Sequence, residues 1–230
     1  MNLLAFDTST EHLSVALSWR DGGGPRTLSH QGEGGREASA SLIPVARGLL
    51  AQAGLPLAAM DAIAFGAGPG SFTGLRTACA VAQGLAFGAA LPVLPVETLM
   101  AVAEAARASH GATRVLALLD ARMDEVYAAA YAFDGQAWQR QGPIGLYRPE
   151  AVAVPEGWVL AGNAFGPYGA RLPAGAPRIE ALPTADAMLR LAPALAAAGG
   201  VVPPAAALPI YVRDKVAQTT AERMALKAAA

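Results

Sequence analysis

This sequence is poor in the residues that most often carry chemistry. It has one cysteine, Cys79, and three histidines, His12, His30 and His110, spread over 230 residues. A single thiol excludes an internal disulfide and fits a reducing compartment, read here as the cytoplasm. One cysteine and three scattered histidines also exclude a Cys/His zinc site. Charged residues make up only 15% of the chain, and 17 Lys and Arg against 18 Asp and Glu leave a net charge of -1. No basic excess therefore marks a nucleic-acid grip. No basic segment precedes the first apolar run, so the start does not read as a signal peptide. No stretch of about 18 apolar residues runs free of Pro, Gly or charge, so no membrane span is expected.

Apolar residues, by contrast, make up 53%, ample for the core of one large domain or two small ones. Leu3 to Phe6 is a short apolar run ending at Asp7 and reads as a buried strand. Leu13, Val15 and Leu17 alternate with Ser14, Ala16 and Ser18, the pattern of a half-buried strand. Gly22-Gly23-Gly24-Pro25 then turns the chain into a third strand around Arg26 to Gln31. Glu37 to Ala53 has apolar residues at helical spacing; Pro44 must kink this helix or mark its true start, with Ser39 or Ser41 as cap. A strand at Ala62 to Phe65, a helix from about Ser71 to Phe87, a strand at Leu91 to Val96 and an Ala-rich helix at Glu97 to Ser109 complete a β-β-β-α-β-α-β-α unit. A second unit opens near Arg114 in the same way, with a strand ending at Asp120 and a hairpin partner at Glu125 to Phe133. Two units that begin alike predict a duplicated architecture, with lobes at 1–110 and 111–230 and a tail from about 208 packing back on the first lobe. Between Gln141 and Pro209 periodicity fades into short elements, including a helix at Ala185 to Ala198 interrupted at Pro193.

Gly68-Pro69-Gly70-Ser71-Phe72-Thr73-Gly74-Leu75-Arg76 stands between a strand and a helix. Three glycines and a proline there mark a tight turn that admits close approach by another backbone or a ligand. Such a turn leaves backbone N–H groups at a helix start, where an anion can sit. It is neither a P-loop nor the dinucleotide fingerprint, since no Gly-Lys-Ser/Thr follows and Thr73 replaces the third glycine. Asp7-Thr8-Ser9 also closes a strand, so Asp7, Thr8, Ser9, Gly68, Gly70 and Ser71 form a candidate nucleotide or anion turn. An ordinary structural turn explains the same residues equally simply. Asp120, Arg122, Asp124, Glu125 and Tyr127 form a second charged patch that reads as solvated ion pairs, and Cys79 reads as a packing residue. Gly84 and Gly88 inside a helix cost roughly 1 kcal/mol each relative to alanine, which implies close approach by this chain's own sheet or by a partner helix.

Five segments now stand in order: Leu4-Ala5-Phe6-Asp7-Thr8-Ser9-Thr10, the run from Gly68 to Arg76, Pro95-Val96-Glu97-Thr98-Leu99, Asp120-Ala121-Arg122-Met123-Asp124-Glu125-Val126-Tyr127, and Pro209-Ile210-Tyr211-Val212-Arg213. In sequence, order and spacing they resemble the bacterial TsaB (YeaZ) proteins, outside a loose middle from Gln136 to Val202. The resemblance implies an α/β actin-like, sugar-kinase-like ATPase fold of the ribonuclease H-like type, with two related lobes of mixed sheets flanked by helices. It implies a part in making N6-threonylcarbamoyladenosine at position 37 of tRNA, as the non-catalytic partner of the homologous TsaD, with the ATPase TsaE. TsaD-like proteins carry a His-x-x-x-His metal pair after the strand that matches Leu91 to Val96. Here the region reads Val96-Glu97-Thr98-Leu99-Met100-Ala101-Val102, whose Val, Thr and Leu are not metal ligands. Where TsaB-like sequences often place a His, this chain has Arg36-Glu37-Ala38.

Two functions compete. One is an interaction subunit without catalytic residues, metal or cofactor, its ATP handled by partner proteins. It would form a heterodimer with TsaD or a homodimer when alone, and reach tRNA through the complex. Its expected partner surface is Leu42, Val45, Ala46 and Leu49 on the first helix and Ala78, Ala82 and Leu85 on the second, with Arg213, Lys215 and Arg223 as tail contacts to TsaE or tRNA phosphate. The other is a nucleotide-using enzyme of the same fold, but the bulky Ala121-Arg122-Met123 stands where a second phosphate loop would be needed.

Overall fold

The computed structural model of the chain describes residues 1–35 and 37–213. Strands β1 (Leu3–Asp7), β2 (His12–Asp21) and β3 (Gly24–Glu33) form an antiparallel meander. Helix α1 (Ala38–Ala53), strand β4 (Ala62–Gly68), helix α2 (Phe72–Ala89), strand β5 (Val93–Glu97) and helix α3 (Thr98–His110) follow. β4 and β5 add in parallel beside β1, giving a five-stranded sheet in the order β3-β2-β1-β4-β5. The chain then repeats itself with β6 (Arg114–Arg122), β7 (Glu125–Phe133), β8 (Trp138–Tyr147), β9 (Val159–Gly162), the short α4 (Phe165–Tyr168), β10 (Arg178–Glu180) and α5 (Ala185–Ala197). The second sheet runs β10-β9-β6-β7-β8, the same topology read from its other edge. This is the α/β actin-like fold with two related mixed sheets. The second unit lacks a counterpart of α1, with only a 3₁₀ turn at Pro149–Ala151 in its place.

Strand periodicity assigns each side chain to one of three cores. Leu4 and Phe6 join Ile63, Phe65 and Ala67 under α1 and α2, while Leu3 and Ala5 face the space between the two sheets. Leu116 and Leu118 fill the outer core of the second unit, and Val115, Ala117 and Leu119 face inward. The middle core holds α3 and α5, packed against each other; α3 lies mainly on the second sheet and α5 on the first. Small residues (Ala5, Ala16, Ala64, Ala117, Ala129, Ala161) let both helices approach the strands closely. The buried Glu104 of α3 ties this layer together, accepting from Arg107 Nε (2.7 Å), Trp138 Nε1 (3.0 Å) and Arg190 Nε (2.8 Å). Burial pushes its carboxyl up, but the hydrogen bonds from Arg107, Trp138 and Arg190 outweigh this and hold it below the usual carboxylate range.

Several local expectations need correction. β2 is covered on both faces, because α5 packs on the side of Ser14 and Ala16; Ser14 Oγ accepts from the Ala185 N–H (2.9 Å). Pro44 lies inside α1, and neither Ser39 nor Ser41 is the cap: the helix begins at Ala38 after Glu37. Pro193 likewise lies within α5 without ending it. Trp138–Tyr147 is a ten-residue strand inside the stretch read as loose. Its long run of exposed residues hides the alternation that would have marked it.

Candidate functional site

Two features compete for function: the turns at the mouth between the sheets, and the outer face of α1 and α2.

The turn residues converge as the sequence suggested, but on each other. Asp7, Thr8 and Ser9 are all buried. The Ser9 N–H and hydroxyl both donate to Asp7 Oδ1 (3.0 and 2.8 Å), and the Thr8 hydroxyl donates to the Gly74 carbonyl (2.7 Å). The Ser71 N–H donates to the Ser9 carbonyl (2.7 Å), and Ser71 Oγ caps α2 through the Gly74 N–H. The glycines serve this joint. A Cβ at Gly70 would lie 2.6 Å from the Ser9 carbonyl oxygen, and one at Gly74 would overlap the Thr8 carbonyl. Gly68, at φ 127°, packs under Ile210. The freedom of these glycines thus accommodates backbone meeting backbone. Asp7 Oδ2 is the one buried side-chain oxygen among the described residues without a hydrogen-bond partner. Burial, opposed by the Ser9 bonds, pushes the Asp7 carboxyl up to about 7.

Asp120 repeats this Asp turn in the second unit, with Oδ1 accepting from the N–H two residues on, that of Arg122 (2.7 Å). Here the turn is built differently: Arg122, Met123 and Asp124 all take left-handed φ, at 60°, 56° and 60°. That conformation costs roughly 1–2 kcal/mol per non-glycine residue. Between the two Asp turns lies a cleft of about 630 Å³, bordered by Ser9, Ser71, Asp120, Arg122, Asn163 and Arg213. No group of three or more His, Cys, Asp or Glu among the described residues is placed to hold a metal ion. Arg213 does not project as a free tail cation. Its guanidinium donates to the Ala121 and Arg122 carbonyls (3.0 and 3.3 Å) and pairs with Glu125 (2.8 Å). The side chain expected to contact TsaE or tRNA phosphate is thus already engaged within the chain itself. Lys215 and Arg223 lie outside the described residues, as does Arg36; Ala38 is buried.

The helix face also needs correction. Leu42, Ala46, Leu49, Ala78 and Ala82 are buried in this chain's own core beneath α1 and α2, and only Val45 and Leu85 are half-buried. An apolar stripe at helical spacing packs first on its own sheet. The outward face instead carries Ile43, Arg47, Gly48 and Ala51 on α1 and Arg76, Ala80, Gly84, Phe87 and Gly88 on α2. Ile43 and Phe87 are exposed by 39% and 84%. A Cβ on Gly48, Gly84 or Gly88 would meet nothing within 4 Å among the described residues. Between the helices runs an apolar groove of about 420 Å³, lined by Ile43, Ala46, Arg47, Leu50, Leu55 and Leu85.

The two sets of glycines give opposite expectations for alanine. Gly74→Ala should destabilise by about 1–3 kcal/mol, because the added methyl forces α2 off the Thr8 backbone. Gly48→Ala and Gly84→Ala should each stabilise by about 0.5–1 kcal/mol, since they gain helix propensity in open space. Urea unfolding of the three variants measures this; equal shifts in one direction would contradict the packing described.

Comparison with known proteins agrees with this architecture. The family of TsaD, tRNA N6-adenosine threonylcarbamoyltransferase, matches residues 28–161. The tRNA threonylcarbamoyladenosine biosynthesis protein TsaB of Escherichia coli (strain K12) is 39% identical, over 94% of this chain and 96% of its own. The TsaB protein of Haemophilus influenzae is 51% identical over 55% of this chain and 52% of its own. The solved structure of YeaZ from Pseudomonas aeruginosa superposes with a TM-score of 0.84 at 45% identity, covering 91% of this chain and 99% of that one.

Proposed function

Because the chain belongs to the TsaB (YeaZ) family, we propose that it serves tRNA threonylcarbamoyladenosine biosynthesis as the non-catalytic partner and scaffold of TsaD, acting with TsaE. The observation that carries this reading is the outer face of α1 and α2. Three glycines there, Gly48, Gly84 and Gly88, answer no packing need among the described residues. Each weakens its helix by roughly 0.5–1 kcal/mol relative to alanine. A second helix pair approaching closely would use that missing volume, with Ile43 and Phe87 as its apolar anchors. TsaD shares this chain's family and would present equivalent helices, making a four-helix interface of pseudo-two-fold symmetry. The same face serves a homodimer when TsaD is absent. tRNA is reached through the complex, and ATP is handled by the partner proteins.

A nucleotide-using enzyme is the competing reading, and the cleft favours it only by its volume. Asp7 is buried with its carboxyl pushed up to about 7, Thr8 and Ser9 are spent within the joint, and Arg213 closes on the second turn. The purified chain is expected to show no ATP turnover above a heat-denatured control. It should co-sediment with TsaD as a heterodimer at micromolar concentration. Turnover proportional to protein, removed by Asp7→Asn, would favour the enzyme instead.

A further inference from the structure

After the 3₁₀ turn at Pro204–Ala206 the chain runs without regular structure from residue 207 to 213, along the cleft between the sheets. Its first half is fastened to the first unit. The buried Ala207 carbonyl accepts from Gln83 Nε2 (3.0 Å) and the Cys79 thiol (3.4 Å), both on α2. The Ile210 N–H donates to the Ala67 carbonyl at the end of β4 (2.7 Å). Tyr211 meets Phe72 at 5.5 Å between ring centroids, and its hydroxyl accepts from Arg76 Nε (3.1 Å), whose guanidinium lies 3.8 Å above the Phe72 ring. The second half is fastened to the other unit. Arg213, with its side chain only 11% exposed, binds the Ala121 and Arg122 carbonyls, Met123 Sδ (3.0 Å) and the Glu125 carboxylate. One guanidinium thus grips a hairpin of three left-handed residues, none of them glycine.

We propose that residues 207–213 are a strap that locks the two units at a fixed angle across their cleft, with Arg213 as its anchor on the second. The reasoning is mechanical. The units already meet through α3 and α5 in the middle core. At the cleft itself, Arg122 also pairs with Glu11, but these side chains are 65% and 74% exposed, and an exposed pair holds little. The strap is different: it is hydrogen-bonded at both ends, half-buried, and forked at Arg213 onto fixed carbonyls. The run 68–76 thereby gains a purpose beyond its own turn, since Gly68, Phe72 and Arg76 form the seat for Ile210 and Tyr211.

The test reads the angle between the units directly. Thr27→Cys and Gln141→Cys place spin labels on the outer strands β3 and β8, one in each unit, at exposed positions. Cys79 is buried, and burial pushes its thiol up, so it does not compete for label. Pulsed dipolar spectroscopy on the full chain is expected to give one narrow distance distribution. Arg213→Ala should broaden it and add a longer component, with the Ile210 amide exchanging at least tenfold faster. Arg213→Lys, which keeps the Glu125 pair and loses the forked bonds, should fall between them. An unchanged distance distribution in Arg213→Ala overturns the proposal even if Ile210 exchange accelerates, because the strap is then only a local clamp. If Arg213→Ala loses its cooperative melt, Glu125→Gln is read in the same assay. Widening there supports the lock, and an unchanged distribution overturns it.

Discussion

Gly84→Arg is expected to abolish capture of TsaD while the chain itself melts within a few degrees of wild type; Ala82→Arg is expected not to fold. The two positions sit half a turn apart on α2 and differ in what surrounds them. Gly84 is exposed, and a side chain built on it meets nothing within 4 Å. An arginine there gains up to about 1 kcal/mol of helix propensity, yet fills the space that the proposed partner helix would use. Ala82 has no exposed surface and lies in the core under α1 and α2. A guanidinium there is a buried charge without a partner, which costs several kcal/mol, comparable to the whole stability of a domain. Circular dichroism melting and an affinity-capture titration with TsaD separate the two outcomes. A Gly84→Arg chain that melts normally and binds TsaD at wild-type affinity would move the interface off this face.

The second large effect is a pH dependence set by Asp7. Its carboxyl titrates near the ordinary 3.8 when the chain is unfolded and about 7 when folded. The folded state therefore binds a proton more tightly. The sign follows directly: stability from this group is complete below about pH 4, falls as pH rises toward 7, and is lost above it. A shift of about three pKa units corresponds to about 4 kcal/mol. Asp7→Asn keeps the oxygen that accepts from Ser9 and removes the titration. The difference in unfolding free energy, variant minus wild type, should therefore rise by about 4 kcal/mol between pH 4 and pH 7 and then level off. Taking the difference cancels groups such as Glu104, whose lowered carboxyl shifts stability in the opposite direction. A difference that stays flat across this window would mean that Asp7 is ionised in the folded chain.

The order of strands and helices in the first unit was legible because each carries its own local signal. Leu3 to Phe6 is too short and too apolar for anything but a covered strand, and the glycines around Pro69 allow only a tight joint. The repeat was legible from Asp7 and Asp120 near the ends of equivalent strands, and each carboxylate accepts from the N–H two residues on, although the turns that follow differ in backbone conformation. What the sequence hid is which side of an amphipathic helix is left over. Leu42, Ala46, Leu49, Ala78 and Ala82 form the obvious stripe, and their own sheet claims it. The face proposed for a partner is small and plain, marked by Gly48, Gly84 and Gly88 and by single anchors such as Phe87. Likewise nothing local shows that Asp7 is sealed or that Arg213 turns back onto residues about 90 positions earlier. Those are consequences of packing between distant segments.

The most direct test of the central reading is reconstitution of tRNA modification from purified proteins. With TsaD, TsaE, threonylcarbamoyl donor and tRNA present, adding this chain should raise threonylcarbamoyladenosine formation from background to full conversion, and adding its Gly84→Arg variant should not. Modification that proceeds at the same rate without the chain, or that the Gly84→Arg variant supports fully, would contradict the account.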